Sequence, residues 1–426
     1  MGDLRNQAKK YKEEGKYQNA IEIYEKIWTK ENTDKWAGWE YAYCLKKVKE
    51  ITKAIMVCKY TYKLDNNFVL NNDLMAWCVY EKYFQEKKET LAHHEIIKLD
   101  KIAKAAIGLI EQKQGSAYEH IVFAIIHIYK NKGDRISFEK IVDWLGRLKI
   151  DLLSDEAVKY IDKKGNDSEW QSRKEEYFSY YSKALIVLER YNECIECCEL
   201  AEKKLKTYHY DNDIWIKARL YYSQGMLEEY NKALLGLTEL SLKKNHWSII
   251  FKIAQLYDKK GEGEQALLYV FKALLSRDPD RMKVKVVYFA AEILEKMEDY
   301  DLAKLHYIYF KKIREDNEWE VPLELDKKIE ECKGTCETSQ ITSKYMRNIW
   351  IKRIKGNSQV YKGVVSKIMK NGKNGFILYN KNSIFFRLVE VVGRVKERDN
   401  VTFIIEDSFD KLKNKRTKEA KYIEIV

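Results

Sequence analysis

Apolar residues recur at three-and-four spacing from the start of the chain. Ala8 and Tyr11 precede a Gly15-Lys16-Tyr17 turn, and Ala20, Tyr24 and Ile27 follow it. That spacing lays one apolar stripe along each of two short helices, and the small residues let the helices approach closely. The pattern returns at Ala42, Leu45, Ile51, Ala54 and Cys58, with 34 residues from Ala20 to Ala54. Later copies stand at Tyr191-Cys194-Cys198-Ala201, Tyr230-Ala233-Leu237-Leu240, Ala254-Tyr257-Gly261-Ala266-Val270-Ala273 and Ala291-Leu294-Tyr300-Ala303-Tyr307-Phe310. Spacings of 39, 33 and 37 between their key small residues imply loops of varying length. Between about 68 and 190 the helical pattern continues but fits this template poorly. Gly133-Asp134 followed by Phe138, Ile141, Trp144 and Leu145 reads as one degenerate pair there.

After about residue 345 the period changes from helical to alternating. Val364-Val365-Ser366-Lys367-Ile368, Gly375-Phe376-Ile377-Leu378, Ser383-Ile384-Phe385-Phe386-Arg387, Val401-Thr402-Phe403-Ile404-Ile405 and Tyr422-Ile423-Glu424-Ile425 predict five short strands. Gly and Asn clusters such as Asn371-Gly372-Lys373-Asn374-Gly375 separate the runs, as turns require. Five strands in so short a stretch predict a small β-barrel.

The 34-residue helix–turn–helix period resembles the tetratricopeptide repeat (TPR). The resemblance implies six or more repeats, an α-solenoid, and a concave groove lined by the first helix of each pair. In that register the groove positions are Trp36, Trp39 and Tyr43, then Trp215 and Tyr222, then Phe251 and Tyr288. Two readings stand for these aromatics. Either they face a protein partner, peptide or unstacked bases, or they pack between neighbouring repeats.

The alternating segment resembles a cold-shock domain, the five-stranded oligonucleotide-binding (OB-fold) barrel. Gly363-Val364-Val365-Ser366-Lys367-Ile368-Met369 starts like the family's first strand. Gly372-Lys373-Asn374-Gly375-Phe376-Ile377 stands where the family has Lys-Gly-Phe-Gly-Phe-Ile. Ile384-Phe385-Phe386-Arg387-Leu388 stands where it has Val-Phe-Val-His-Phe, and Asp399-Asn400-Val401-Thr402-Phe403 matches its fourth strand. Such domains stack unpaired bases on aromatic rings over a basic face. Phe376 and Phe385 keep two platform rings. Lys367 replaces a Trp, Asn374 a Phe, Arg387 a His and Leu388 a Phe. With rings lost and cations gained, the resemblance implies charge-led, salt-dependent binding of single strands, with weak sequence selectivity. Lys373 adds to this set. Lys411-Leu412-Lys413-Asn414-Lys415-Arg416-Thr417-Lys418, expected in the loop before the last strand, extends it through Lys413, Lys415 and Arg416.

The predicted organisation is therefore mainly α. A TPR-like solenoid spans 1–330, a basic linker 331–360, and a cold-shock-like barrel 361–426. Composition agrees with a folded chain. Of 426 residues, 34% are charged, a fraction that alone suits a disordered protein, yet 31 Tyr, 14 Phe and 10 Trp do not. Only two prolines, Pro279 and Pro322, argue against a turn-rich β protein over most of the length. No apolar run approaches the roughly 18 residues of a membrane span. Without an export signal, the eight cysteines point to a reducing cytoplasm rather than a disulfide framework.

Charge is distributed unevenly. From Tyr345 onward there are 19 Lys+Arg against 8 Asp+Glu, whereas the preceding residues hold 59 against 58. Nearly all the positive excess lies in the last fifth of the chain, where a polyanion is the natural partner.

Catalytic signatures are missing: no phosphate-binding loop, dinucleotide fingerprint, nucleophile elbow or His-Glu-x-x-His appears. His93-His94 lacks a second ligand pair, and His120 and His127 are expected at a core edge. Cys194, Cys197 and Cys198 follow a helix face, as core residues do. Cys332 and Cys336 form at most half a zinc site. The sequence thus predicts a non-enzymatic adaptor with no cofactor or metal. Its solenoid would hold a protein or peptide, and its barrel would hold single-stranded RNA or DNA, RNA being the choice that the resemblance implies. Two alternatives stand beside it: a purely protein-binding scaffold whose barrel is a docking surface, and the targeting subunit of a separate nuclease-type effector.

Overall fold

The computed structural model describes residues 2–30, 34–86, 91–162, 164–335 and 341–426. Eight successive helix pairs build most of it. They are α1 (Gly2–Glu13) with α2 (Tyr17–Lys30), α3 (Lys35–Lys47) with α4 (Ile51–Leu64), α5 (Val69–Tyr83) with α6 (His93–Ile107), and α7 (Ala117–Lys132) with α8 (Arg135–Leu145). The series continues with α9 (Arg173–Val187) and α10 (Tyr191–Lys204), α11 (Asn212–Met226) and α12 (Tyr230–Lys243), α13 (Trp247–Lys259) and α14 (Gly263–Leu274), and α15 (Val284–Lys296) and α16 (Tyr300–Asp316). This is a TPR-like α-solenoid, and a small closed β-barrel follows it. No helix among the described residues is long and apolar enough to cross a membrane.

One turn recurs between the helices of a pair. The amide after the turn donates back to a carbonyl five residues earlier: Lys16 to Tyr11 at 2.8 Å, Glu50 to Leu45 at 2.9 Å, and Arg190 to Leu185 at 2.9 Å. Glu229 bonds Gln224 at 3.0 Å, Glu262 bonds Tyr257 at 2.9 Å, and Asp299 bonds Leu294 at 3.0 Å. The residue before each donor is left-handed, as such helix ends require. It is glycine at Gly15 and Gly261, but Lys49, Glu189, Glu228 and Glu298 elsewhere, with φ between 60° and 73°.

The chain divides into two compact units, 1–216 and 217–426. In the first, Ala20, Ala42, Ala54, Cys44 and Cys58 are fully buried where the helices touch, with Tyr24 and Leu45 filling the space between them. Cys194 and Cys198 are fully buried on α10, in helix packing as expected. A two-stranded antiparallel hairpin, β1 (Val158–Ile161) and β2 (Asp167–Trp170), interrupts the helices between α8 and α9. It departs from the continuous helical pattern expected over 68–190, and its polar-rich strands carry no continuous apolar face to mark them in the sequence.

The second unit ends differently from the expected linker. Within 331–360 lies a helix, α18 (Ser343–Gly356), preceded by the short α17 (Glu324–Glu331). Met346, Trp350 and Ile354, four residues apart, are buried in the same core as α14 and α16. Basic residues between them hid this stripe in the sequence. Cys332 is buried and contacts the Tyr300 carbonyl, while Cys336 lies outside the described residues.

The barrel comprises β3 (Tyr361–Ile368), β4 (Asn374–Tyr379), β5 (Asn382–Arg387), the two-residue β6 (Val391–Val392), β7 (Asn400–Asp410) and β8 (Lys415–Ile425). The strand order is β5-β4-β3-β7-β8-β6, and a parallel pairing of Phe386 with Ala420 closes β5 onto β8. Val365, Ile377, Ile384, Phe386, Val401, Phe403 and Ile423 fill the interior. Gly375 makes room for it, since a Cβ there would lie 2.6 Å from the Phe386 ring. On the β7–β8 side, Ile404 and Tyr422 leave the barrel interior and join the core of α14, α16 and α18. A bulge, with Tyr422 at φ 51°, turns that ring toward the helices. Ion pairs flank the contact, Lys272 to Glu406 at 2.6 Å and Lys355 to Glu424.

Candidate functional site

The barrel places three of the expected residues in one row. Phe376 pairs with Phe385 across β4 and β5, and Lys367 pairs with Phe376 across β3 and β4. The two rings meet edge to face at 5.8 Å and are half-buried; Lys367 is exposed. Lys367 reaches this row through a shift of register between Val365 and Lys367. A regular ladder would set Ser366 opposite Phe376; the bulge moves Lys367 there, as one extra residue does. Ser366 instead donates from Oγ to the Phe376 carbonyl at 3.0 Å. Val364 and Leu378, paired beyond the inward-facing Val365–Ile377, are 38% and 50% exposed and extend the apolar strip. This outer face lies on strands other than those docked to the helices.

Asn374 and Arg387 form the next cross-strand pair on this face, beyond the inward-facing Gly375–Phe386 pair. Arg387 is not a free cation. Its Nε lies 3.0 Å from Oε1 of Glu419, whose carboxylate is buried. The contact is one of charge rather than an aligned hydrogen bond, since that oxygen accepts none. Lys421 adds a second positive charge at 3.7 Å and pairs with Glu390 at 2.8 Å. Arg387 therefore answers a buried carboxylate, a pairing between distant strands that local sequence does not reveal. Lys373 is exposed in the β3–β4 turn, beside exposed Lys370.

The basic segment 411–418 is not a loop throughout. Lys415, Arg416, Thr417 and Lys418 belong to β8 and pair with Asp410, Phe409, Ser408 and Asp407 of β7, leaving a four-residue turn that includes Lys413. Regular alternation is weak there because both faces are polar. Arg416 is ion-paired to Glu239 of α12 at 2.7 Å, and Lys243 lies 6.0 Å from the Phe409 ring centre. Lys413 and Lys415 remain exposed.

The expected groove residues divide into two groups. In the first unit, Trp36, Trp39 and Tyr43 line up along α3 with Phe68 and Tyr17. Successive ring centres are 4.8 Å (Phe68–Trp36), 6.4 Å, 6.1 Å and 6.3 Å (Tyr43–Tyr17) apart. Lysines cover parts of this ribbon: Lys12 lies 5.1 Å from Trp39, and Lys47 lies 5.3 Å from Tyr43. Trp215 is half-buried on α11. In the second unit packing prevails. Tyr222 is buried under the Lys252 ammonium at 4.1 Å, and Phe251 meets Phe289 at 5.2 Å. Tyr288 contacts Tyr307 and Phe310, with the Lys328 ammonium 5.2 Å from its ring. Tyr222, Phe251 and Tyr288 thus serve contacts between helices.

The profile of a family described as "Domain of unknown function (DUF7017)" matches residues 214–344. No curated protein matches the chain. Among solved structures, the Naa15/Naa10 assembly bound to HypK-THB aligns at 12% identity and a TM-score of 0.40, over 82% of this chain and 46% of that one. The chain thus spans under half the length of that relative. A human IFIT1 dimer with m7Gppp-AAAA aligns at 14% identity and a TM-score of 0.35, over 82% and 72%. YrrB, a TPR protein with an unusual peptide-binding site, aligns at 14% identity and a TM-score of 0.21, over 60% and 92%.

Proposed function

We propose that this chain is a non-enzymatic adaptor. Its barrel takes single-stranded nucleic acid, RNA by preference, on the outer face of β3–β4–β5, and its helical repeats take a protein partner. The observation that carries this reading is the row Lys367–Phe376–Phe385, two cross-strand rings with a cation beside them. Further support comes from the closure of the barrel. Its order, with the third and fifth major strands parallel, suits an oligonucleotide-binding barrel, in which the second and third strands and the adjoining loops contact the strand. The second and third strands here carry the Phe pair, and the first loop carries Lys370 and Lys373. The resemblance to cold-shock domains belongs to this reading. On the repeats, the Trp36–Trp39–Tyr43 ribbon is the partner surface.

The test is fluorescence anisotropy of labelled single-stranded RNA and DNA with the full chain at low and moderate salt. Binding should weaken steeply with salt. Phe376→Ala and Phe385→Ala should each weaken it about tenfold, within the range for one stacked base. Lys367→Ala should lower the salt slope by about one, as loss of one phosphate contact does. Arg416→Ala should change little, because its charge is spent on Glu239. No binding at low salt would overturn the proposal and favour the barrel as a protein-docking module. The ion-paired state of Arg387 and Arg416 supports that second reading.

A further inference from the structure

Helices α5, α7 and α9, the first helices of three successive pairs, line an open-mouthed cavity of about 720 Å³ together with Leu99 of α6 and the β1–β2 hairpin. The volume is that of a small-molecule site. Tyr80, Phe123, Trp170 and Tyr180 line it with the imidazoles of His120 and His127, and rings outnumber aliphatic side chains. His120 lies 5.2 Å from Tyr80, and His127 lies 5.7 Å from Tyr180. Trp170 is 53% exposed although one face is stacked on Tyr160 at 5.0 Å and 20°.

The charged groups are unequally satisfied. Glu176 is buried and close to His127 Nε2 at 2.7 Å and Arg173 Nη1 at 2.7 Å. Burial alone would raise its pKa; the His127 and Arg173 contacts overcome this and hold it below the ordinary carboxylate value. This carboxylate is therefore occupied. Arg173 spends only Nη1 on it, leaving Nε and Nη2 without a partner among the described residues. Lys130 donates to the Tyr180 hydroxyl at 3.3 Å and has no carboxylate partner among the described residues. Glu86, also in the lining, has no ion pair among them and offers an acceptor.

We propose that this cavity binds a nucleotide, with its base stacked among the rings and its phosphate held by Lys130 and Arg173. The walls suit a flat, anionic ligand better than an aliphatic chain, which would leave the Lys130 ammonium and the remaining Arg173 nitrogens without an anion. A simple cation is disfavoured because Glu176 already has two partners. The site lies in the first unit and does not depend on the reading of the barrel.

The experiment is isothermal titration of the full chain with ATP and GTP. Adenosine and inorganic tripolyphosphate serve as the two halves of the ligand, and a 5′-triphosphorylated hexanucleotide tests whether the nucleotide is free or a strand end. Saturable binding is expected, with each half-ligand at least tenfold weaker than the nucleotide. Lys130→Ala and Trp170→Ala should each weaken it by about tenfold, while a Phe376→Ala/Phe385→Ala double variant should leave it unchanged. Both first-unit side chains are exposed, and thermal melting would verify that the variants fold. With the oligonucleotide titrated into the Phe376→Ala/Phe385→Ala double variant, so that the barrel face does not contribute, binding of ATP or GTP but not the oligonucleotide supports a diffusible nucleotide; binding of both supports a strand end. No saturable binding at millimolar concentration overturns the proposal. So does binding that survives Lys130→Ala and Trp170→Ala but is lost in the double variant, which would assign it to the barrel.

Discussion

His306 is fully buried beneath α18, donating from Nδ1 to the Leu302 carbonyl at 2.7 Å and accepting from Trp350 Nε1 at 2.9 Å. Both bonds require the neutral imidazole with its proton on Nδ1. Burial lowers its pKa to about 4, against 6.5 for the free group. The depressed folded value means that stability is present in full above pH 6.5. It is lost as pH falls through 4, because the unfolded chain takes up the proton first. At about 1.4 kcal/mol per pH unit, the loss approaches roughly 3 kcal/mol. Urea unfolding at pH 7.5 and 4.5 measures it. His306→Phe should flatten the acid slope while lowering stability at neutral pH; an unchanged slope would assign the acid sensitivity elsewhere. Trp350→Phe removes the donor to a buried nitrogen and should cost about 1–3 kcal/mol.

The recurring helix turn explains how far the repeats were legible. Gly15 and Gly261 mark it in the sequence, whereas Lys49, Glu189, Glu228 and Glu298 take the same left-handed backbone without a marker. A non-glycine residue there costs roughly 1 kcal/mol, so Lys49→Gly and Glu298→Gly should each stabilise the chain by up to about that amount, read from the urea midpoint. Alanine at either site should give no such gain. Small residues spaced along the helices made the pairs readable, and period-2 alternation made Phe376 and Phe385 readable as one face. Three features were not readable, because each depends on contacts distant in sequence. The bulge in β3 decides where Lys367 points, Glu419 claims Arg387 from another strand, and the four apolar residues of α18, Met346, Trp350, Ile351 and Ile354, find their core only against α14 and α16. The cavity rings of α5, α7 and α9 were missed for a related reason. They lie in the stretch where small-residue spacing failed to set a register.

In the second unit the barrel is part of the helical core rather than a bead on a string. Ile404 and Tyr422 are buried against α14, α16 and α18, and Lys272–Glu406 closes over them. Residues 358–426 alone would expose both side chains. Such a fragment is expected to aggregate or melt well below residues 217–426, as size exclusion and thermal melting would reveal; equal melting temperatures would contradict the packing argument. Joined by a flexible tether, two binding surfaces gain only from effective concentration and accept any mutual orientation. Seating Tyr422 among the helices removes that freedom. On the function proposed above, a strand lying over Phe376 and Phe385 would keep a fixed heading against α14, α16 and α18, so this end of the protein would act as a protractor that sets the strand's angle instead of letting it swing.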